Sequence, residues 1–201
     1  MCKRLQPWLL GKFNSVYEAS VNGRKRDLIA GLEGRLLEIG PGTGANLKYY
    51  RPGVDWFGVE PNPFMHMRLL RAASAAGVRA HLSLGSGECL EYEPGSFDAV
   101  VGTLVLCSVN DVHAVLCEIR RVLRPGGRFV FIEHVAAPPS TRTRSVQRMV
   151  APLWGAFADG CRPYQETGKM IESVFGPLDA ESFLVPFPVI GPHVAGTATK
   201  G

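Results

Sequence analysis

The run Glu38-Ile39-Gly40-Pro41-Gly42-Thr43-Gly44-Ala45-Asn46 sets three glycines at alternate positions, directly after the apolar stretch Arg35 to Gly40. Glycines so spaced let a backbone turn sharply and approach a ligand with no Cβ in the way. A helix expected to begin within 44–50 would turn its free N–H groups and positive end toward an anionic group such as a carboxylate. Glu60 closes the next apolar run, 20 residues after Gly40. A carboxylate there can accept hydrogen bonds from both hydroxyls of a ribose. The spacing is GxGxG rather than GxGxxG, and no Gly-Lys-Ser/Thr follows it, which argues against a dinucleotide or a nucleotide phosphate.

Glu38 narrows the ligand further. A carboxylate beside the glycine turn would repel a pyrophosphate and suits a zwitterion bearing a sulfonium, of which S-adenosyl-L-methionine is the example. The competing readings are a salt-bridged Glu38 and a solvent-exposed Glu60.

These residues need a scaffold, and the sequence supplies one. The chain has 201 residues, 46% hydrophobic and 20% charged, enough for one sizeable core and too few for two. Apolar runs at 35–40, 54–60, 78–84, 97–103 and 128–135 read as strands, separated by helical patterns at 63–76 and 111–123 and preceded by a helix over 14–31 with Val16, Tyr17, Val21, Leu28, Ile29 and Leu32 as its apolar positions. Pro125 and Gly126-Gly127 are expected to stop the helix before the fifth strand. Strands alternating with helices imply βαβ units and a mainly parallel sheet covered on both faces. Beyond Ala136, residues 144–158 and 166–175 read as helices, and 177–186 and 192–200 as edge strands, with prolines at their boundaries.

Several functional classes recede. The net charge of +4 has one local cluster, Arg24-Lys25-Arg26, which is too short to argue for nucleic acid and reads as a solvated helix face. No stretch has the roughly 20 consecutive apolar residues of a membrane span. Residues 1–12, interrupted by Lys3, Arg4, Gln6 and Pro7, do not resemble a secretory signal, so a cytoplasmic location is expected. The five cysteines and five histidines are scattered, without a CxxC pair. His113 and Cys117 share a helix face, but two ligands do not make a zinc site, so no metal is expected.

The segments LEIGPGTGAN, GVEPNP, GSGECLEYEPGSFDAVV and VLRPGGRFVFIEH resemble the successive motifs of class I S-adenosylmethionine-dependent methyltransferases over roughly residues 34–135. That resemblance implies an α/β, doubly wound, Rossmann-like seven-stranded sheet of order 3-2-1-4-5-7-6 with strand 7 antiparallel. It also implies a single domain: a helical lid over 1–33, a cofactor-binding core over 34–135, and substrate-side helices with the last two strands over 136–201. The cofactor residues it marks are Glu38, Gly40, Pro41, Gly42, Gly44, Asn46, Glu60, Pro61, Ser86, Gly87, Glu88, Thr103 and Leu104. Ser86 departs from the aspartate often found there to hold the adenine amino group; Ser86 itself or the Gly87 and Glu88 backbone would supply that contact.

A narrower resemblance spans nearly the whole chain. TLVLCSV (103–109), EIRRVLRPGG (118–127), EHVAAP (133–138), DGC (159–161) and GPHVAGTATK (191–200) are similar to the methyltransferase-like 7 family, whose animal members are membrane-associated thiol methyltransferases. It implies S-methylation of a small apolar thiol. Those members carry an N-terminal hydrophobic anchor, from which residues 1–12 depart. A lid over the pocket is the expectation for this segment, and a membrane-surface contact through Trp8, Leu9, Leu10 and Phe13 is its rival.

Methyl transfer from a sulfonium is an in-line displacement with a good leaving group, so alignment and exclusion of water carry most of the catalysis. A thiol near pKa 8.5 is only a few per cent ionised at neutral pH, so a base would help. His134 is the first choice, with Asp159 beside Cys161 as a second catalytic candidate; Cys107 and Asp111 stand nearby, Cys107 reading as a small buried hydrophobe. Met149, Leu153, Trp154 and Phe157 would make the acceptor pocket apolar if they face it, and pack on the sheet otherwise. The acceptor is a small molecule. Rival acceptors are a phospholipid amine, a phenol or a quinone. A cofactor-binding adaptor without turnover is the remaining alternative.

Overall fold

The structure is a computed structural model that describes residues 11–158, 160–187 and 190–201, without the side chains of residues 11–14 and 157. Its elements are α1 (Gly11–Ile29), β1 (Arg35–Ile39), a 3-10 turn (Leu47–Tyr49), β2 (Asp55–Val59), α2 (Pro63–Ala75), β3 (Arg79–Ser83), β4 (Phe97–Thr103), α3 (Val112–Val122), β5 (Leu123–His134), α4 (Arg142–Phe157), α5 (Thr167–Phe175), β6 (Asp179–Leu184) and β7 (Pro192–Thr199). The strands form one sheet of order β3-β2-β1-β4-β5-β7-β6. β1 to β5 run parallel, and β7 runs antiparallel to both β5 and β6, as the sequence led one to expect.

The period of two along the strands sorts the core into two layers. Leu36, Trp56, Val101 and Val130 join Ile29, Leu47 and Leu69 on one face. Leu37, Ile39, Val100, Phe129 and Phe131 join Val115, Leu116, Ile119 and Ile171 on the other. α3 shows why its residues form a helix and where it starts: Val112, Val115, Leu116, Ile119 and Val122 are buried at helical spacing, and the Asp111 side chain accepts from Ala114 N at 3.0 Å, satisfying an otherwise orphaned N–H. α2 starts the same way, on Asn62 with Pro63 in its first turn.

Five local expectations need correction. Of the two late strands read as edges only β6 is one, since β7 is hydrogen-bonded on both sides, to β5 and to β6. Residues 44–50 form no α-helix, only the 3-10 turn at Leu47–Tyr49, because Asn46 is drawn inward by its side chain and Pro52 disfavours helical geometry at Arg51. β5 begins at Leu123, five residues earlier than expected. Leu123 pairs with Phe97, and the register then shifts so that Ala99 faces Arg128. Pro125-Gly126-Gly127 thus sits in an irregularity inside the strand, with Gly126 at φ +74°. Val16 is half exposed rather than packed. Lys25 is no solvated cation: it is 2% exposed and paired with Glu18 at 2.5 Å. Among the described residues, no helix is long and apolar enough to cross a membrane.

Candidate active site

A cavity of about 630 Å³ runs across the carboxyl ends of β2, β1, β4 and β5, the place where open α/β sheets bind ligands. Its β1/β2 end is built from the glycine turn and Glu60. Glu60 is 5% exposed; its Oε2 accepts from Gly42 N at 2.9 Å and its Oε1 from Asn62 N at 2.8 Å. Each oxygen keeps a lone pair for a further donor.

The three glycines do different work. A Cβ on Gly40 would come within 2.7 Å of Val105, and one on Gly44 within 2.6 Å of Leu47 and 2.9 Å of Leu69. A Cβ on Gly42 would meet nothing within 4 Å, so its backbone, at φ +57°, faces open space. An open glycine backbone beside a carboxylate with spare acceptors fits a ribose-bearing, cationic cofactor.

Pro61, Ser86, Gly87, Glu88 and Leu104 complete this end of the wall. The Ser86 hydroxyl donates to the Glu88 carboxylate, whose other oxygen accepts from Asn110 N at 2.9 Å. The loop after β3 is therefore tied to the loop after β4. Leu104 adopts φ +54°, unusual for a residue with a side chain. Its N–H is held by Ile132 O at 2.9 Å while the next two N–H groups, of Val105 and Leu106, turn back to Glu133 Oε1.

Glu38, Pro41, Gly44, Asn46 and Thr103 stand behind the cavity wall instead of on it. Glu38 is 1% exposed and accepts from Asn46 Nδ2 at 2.8 Å, Tyr50 OH at 2.9 Å and Trp56 Nε1 at 3.0 Å. Asn46 also donates to Thr103 Oγ1 at 2.9 Å. Burial pushes the Glu38 carboxyl up and these donors pull it back down. Glu38 braces the turn from the core. It lies behind the cavity wall rather than on it, and among the described residues it forms no salt bridge.

The β4/β5 end brings together residues that the sequence named but did not group. His134 from the end of β5, Cys107 from the loop after β4 and Cys161 from the segment after α4 are all buried, and their imidazole nitrogen and sulfurs lie within 4.8 Å of one another. His134 Nε2 stands 3.5 Å from Cys161 Sγ, and Trp154 Nε1 donates to the same sulfur at 3.1 Å. Of this pair of thiols, Cys161 is held low by hydrogen bonds from Cys107, His134 and Trp154, and Cys107 is pushed up by the Cys161 sulfur and by burial. Tyr17 from α1 also lines the cavity.

Behind this wall, burial raises Glu133 to about 7 despite the N–H groups of Val105 and Leu106, and Glu133 Oε2 has no hydrogen-bond partner among the described residues. His193 is lowered to about 4 by burial; its Nδ1 donates to Gly191 O at 3.0 Å.

The remaining candidates fall elsewhere. Asp159 lies outside the described residues, as do Trp8, Leu9 and Leu10. Trp154 lines the cavity, whereas Met149 and Leu153 are 75% and 66% exposed, neither facing the cavity nor packed on the sheet. His113 and Cys117 meet at 3.5 Å on the exposed side of α3. The grouping of Cys107, His134 and Cys161 went unread because no spacing in the sequence links three residues that only the sheet order brings together.

Comparison with known proteins agrees with this geometry. A methyltransferase domain profile matches residues 37–131. The thiol S-methyltransferase TMT1A of Homo sapiens is 36% identical over the whole of this chain and 88% of its own length. The demethylmenaquinone methyltransferase of Thermus thermophilus is 30% identical over 72% of this chain and 70% of its own. Among solved structures, a geranyl diphosphate methyltransferase in complex with SAM superposes with a TM-score of 0.68 at 16% identity, covering 92% of this chain and 86% of that one. The chain belongs to the S-adenosylmethionine-dependent methyltransferases, in the family that contains the thiol S-methyltransferases.

Proposed function

We propose that the acceptor is a small, largely apolar thiol and that the product is its methyl thioether. The observation that carries this reading is the β4/β5 end of the cavity, where Cys107, His134 and Cys161 offer sulfur and imidazole beside Trp154 and Tyr17. Such a wall solvates a polarisable thiolate and, among the described residues, offers no carboxylate to pair with a phospholipid amine. The relatives named for thiol methylation match this chain end to end, which adds to the same reading.

S-adenosylmethionine, when bound, supplies an electrophilic methyl on a sulfonium. Glu60 and the open backbone at Gly42 would hold its ribose side, and the loops after β3 and β4 would enclose its adenine. Trp154 and Tyr17 exclude water from the acceptor side, which favours an ion of low hydration such as a thiolate. His134 does not stand as a lone base: its Nε2 is paired with Cys161, so the pair faces the acceptor together.

A screen with isotopically labelled methyl donor tests the reading. Alkyl and aryl thiols should gain the labelled methyl, followed by product mass, with stoichiometric S-adenosylhomocysteine. Methylation of quinols, phenols or phospholipid amines with none of any thiol would overturn it.

A further inference from the structure

We propose that Cys107, His134 and Cys161 hold a zinc ion through three protein ligands, and that its fourth position faces the cavity and takes the acceptor thiol as a thiolate. The second half rests on the thiol reading above; the three-ligand site does not.

The donor set comes first. Two sulfurs and an imidazole suit a borderline-soft ion such as zinc and are the wrong ligands for calcium or magnesium, which want oxygen. The geometry comes second. Zn–S near 2.3 Å and Zn–N near 2.0 Å in a tetrahedron put the donors about 3.5–3.8 Å apart. His134 Nε2 and Cys161 Sγ are already 3.5 Å apart, and no pair in the trio exceeds 4.8 Å. At most about 1 Å of closure completes the site.

The surroundings come third. All three ligands are buried, so bulk water does not compete for them. The Trp154 Nε1–H bond to the Cys161 sulfur, at 3.1 Å, is the kind of outer contact that fixes a metal-bound thiolate. Among the described residues, no other His, Cys, Asp or Glu joins the group. Three protein ligands with an open fourth position is the arrangement of catalytic zinc, whereas structural zinc takes four. Here all three line the cavity, so the open position points where the acceptor must sit.

The chemistry balances without a redox partner. Coordination deprotonates a thiol outright: the acceptor S–H releases its proton to water as its sulfur binds the ion. A lone pair on that sulfur then forms the new bond to the methyl carbon as the sulfonium C–S bond breaks. The neutral thioether is a weak ligand and leaves, reopening the position. The site thus supplies thiolate at neutral pH, where a free thiol is only a few per cent ionised.

The test uses the full chain, purified reduced and without chelator. Elemental analysis should find about one zinc per chain. Cys107→Ser and Cys161→Ser should each weaken zinc binding at least about a hundredfold, the upper range for losing even an outer contact. Cys117→Ser, at an exposed thiol on α3, should leave it unchanged. Retained binding of S-adenosylhomocysteine shows that each variant is folded.

With Co²⁺ in place of zinc, the visible bands of a tetrahedral ion and sulfur-to-cobalt charge transfer should appear, and a small alkyl thiol should shift them without any methyl donor present. Metal-free protein that takes up neither zinc nor cobalt, or a Cys107–Cys161 disulfide in its place, overturns the site. Cobalt bands that no thiol shifts overturn the substrate role of the fourth position. Turnover of quinols and of no thiol, with the cobalt bands present, overturns the thiol reading and leaves the metal site supported.

Discussion

The two ends of the cavity are built by opposite means. At the β1/β2 end, the glycine turn and Glu60 set backbone groups and a carboxylate from the segment 38–62 at the cavity, and side chains such as Glu38 and Asn46 brace them. At the β4/β5 end, the wall is made of side chains from three segments, with Cys107 and Cys161 each 27 residues in sequence from His134. A cofactor common to many enzymes can be held by a local motif, whereas an acceptor peculiar to one of them is met by residues that only the tertiary fold assembles. Damage to the first end should therefore appear in cofactor affinity or in folding, and damage to the second in turnover.

The largest expected effect comes from Glu38→Ala. It strands three buried donors, those of Asn46, Tyr50 and Trp56, each worth about 1–3 kcal/mol when left unpaired. The loss of at least about 3 kcal/mol is a large share of the 5–15 kcal/mol that stabilises a typical domain. Urea denaturation monitored by Trp fluorescence should show a midpoint far below that of the parent. A variant of unchanged stability would mean that the turn is held by something other than this carboxylate.

Next is an acid effect at the opposite end. His193 is neutral when folded, with its pKa lowered to about 4 by burial, against about 6.5 in an unfolded chain. The unfolded state therefore binds the extra proton first. The stability contributed is fully present above pH 6.5 and is lost as pH falls from there through 4, roughly 3 kcal/mol in all. Because the raised Glu133 adds an opposite slope to both proteins, the His193 slope should appear as the difference between parent and His193→Gln in denaturation series at several pH values. Parallel slopes in the two proteins would remove His193 from the account.

Smaller, and most diagnostic, is a matched pair. His134→Ala should lower kcat/KM for a thiol about 10²-fold, the lower range for losing a group that manages a proton, while the dissociation constant of S-adenosylhomocysteine stays within about twofold. Glu60→Ala should do the reverse, weakening S-adenosylhomocysteine at least about tenfold through lost charge-assisted hydrogen bonds. Calorimetry and steady-state rates on the same two preparations decide it. If each substitution disturbed both quantities equally, the division of the cavity into a cofactor end and an acceptor end would fail.

What could be read in advance follows the same division. The alternation of strands and helices is a local pattern, and the sheet order was recognisable through the motifs at 34–135. The place of Glu60, Gly40 and Gly42 on the cavity wall was legible because carboxylate and glycine chemistry is tied to a short spacing. The burial of Glu38 behind that wall was not legible, since a sequence shows that a carboxylate adjoins the turn and not which way the strand's pleat aims it. The 3-10 turn at Leu47–Tyr49 and the early start of β5 depended on the inward pull on Asn46 and on a bulge at Gly126, both set by neighbours distant in sequence. The φ of Leu104 had no signature at all, because leucine does not ask for that conformation. Cys107 read as a small hydrophobe and Cys161 as part of a family motif, and nothing local joins either to His134.

Glu38 has one further consequence, for the timing of the catalytic cycle. Three of its acceptor positions are taken up by Asn46, Tyr50 and Trp56, all groups of the fold itself, so the bracing of the glycine turn does not depend on cofactor. The entropy of ordering that loop is lost once, when the chain folds, and not again at each encounter. The spent cofactor can then depart without the loop collapsing behind it, and a fresh one finds the same contour. Exchange of cofactor at this end becomes a matter of diffusion and a few hydrogen bonds, which leaves the slow events of turnover to the acceptor end.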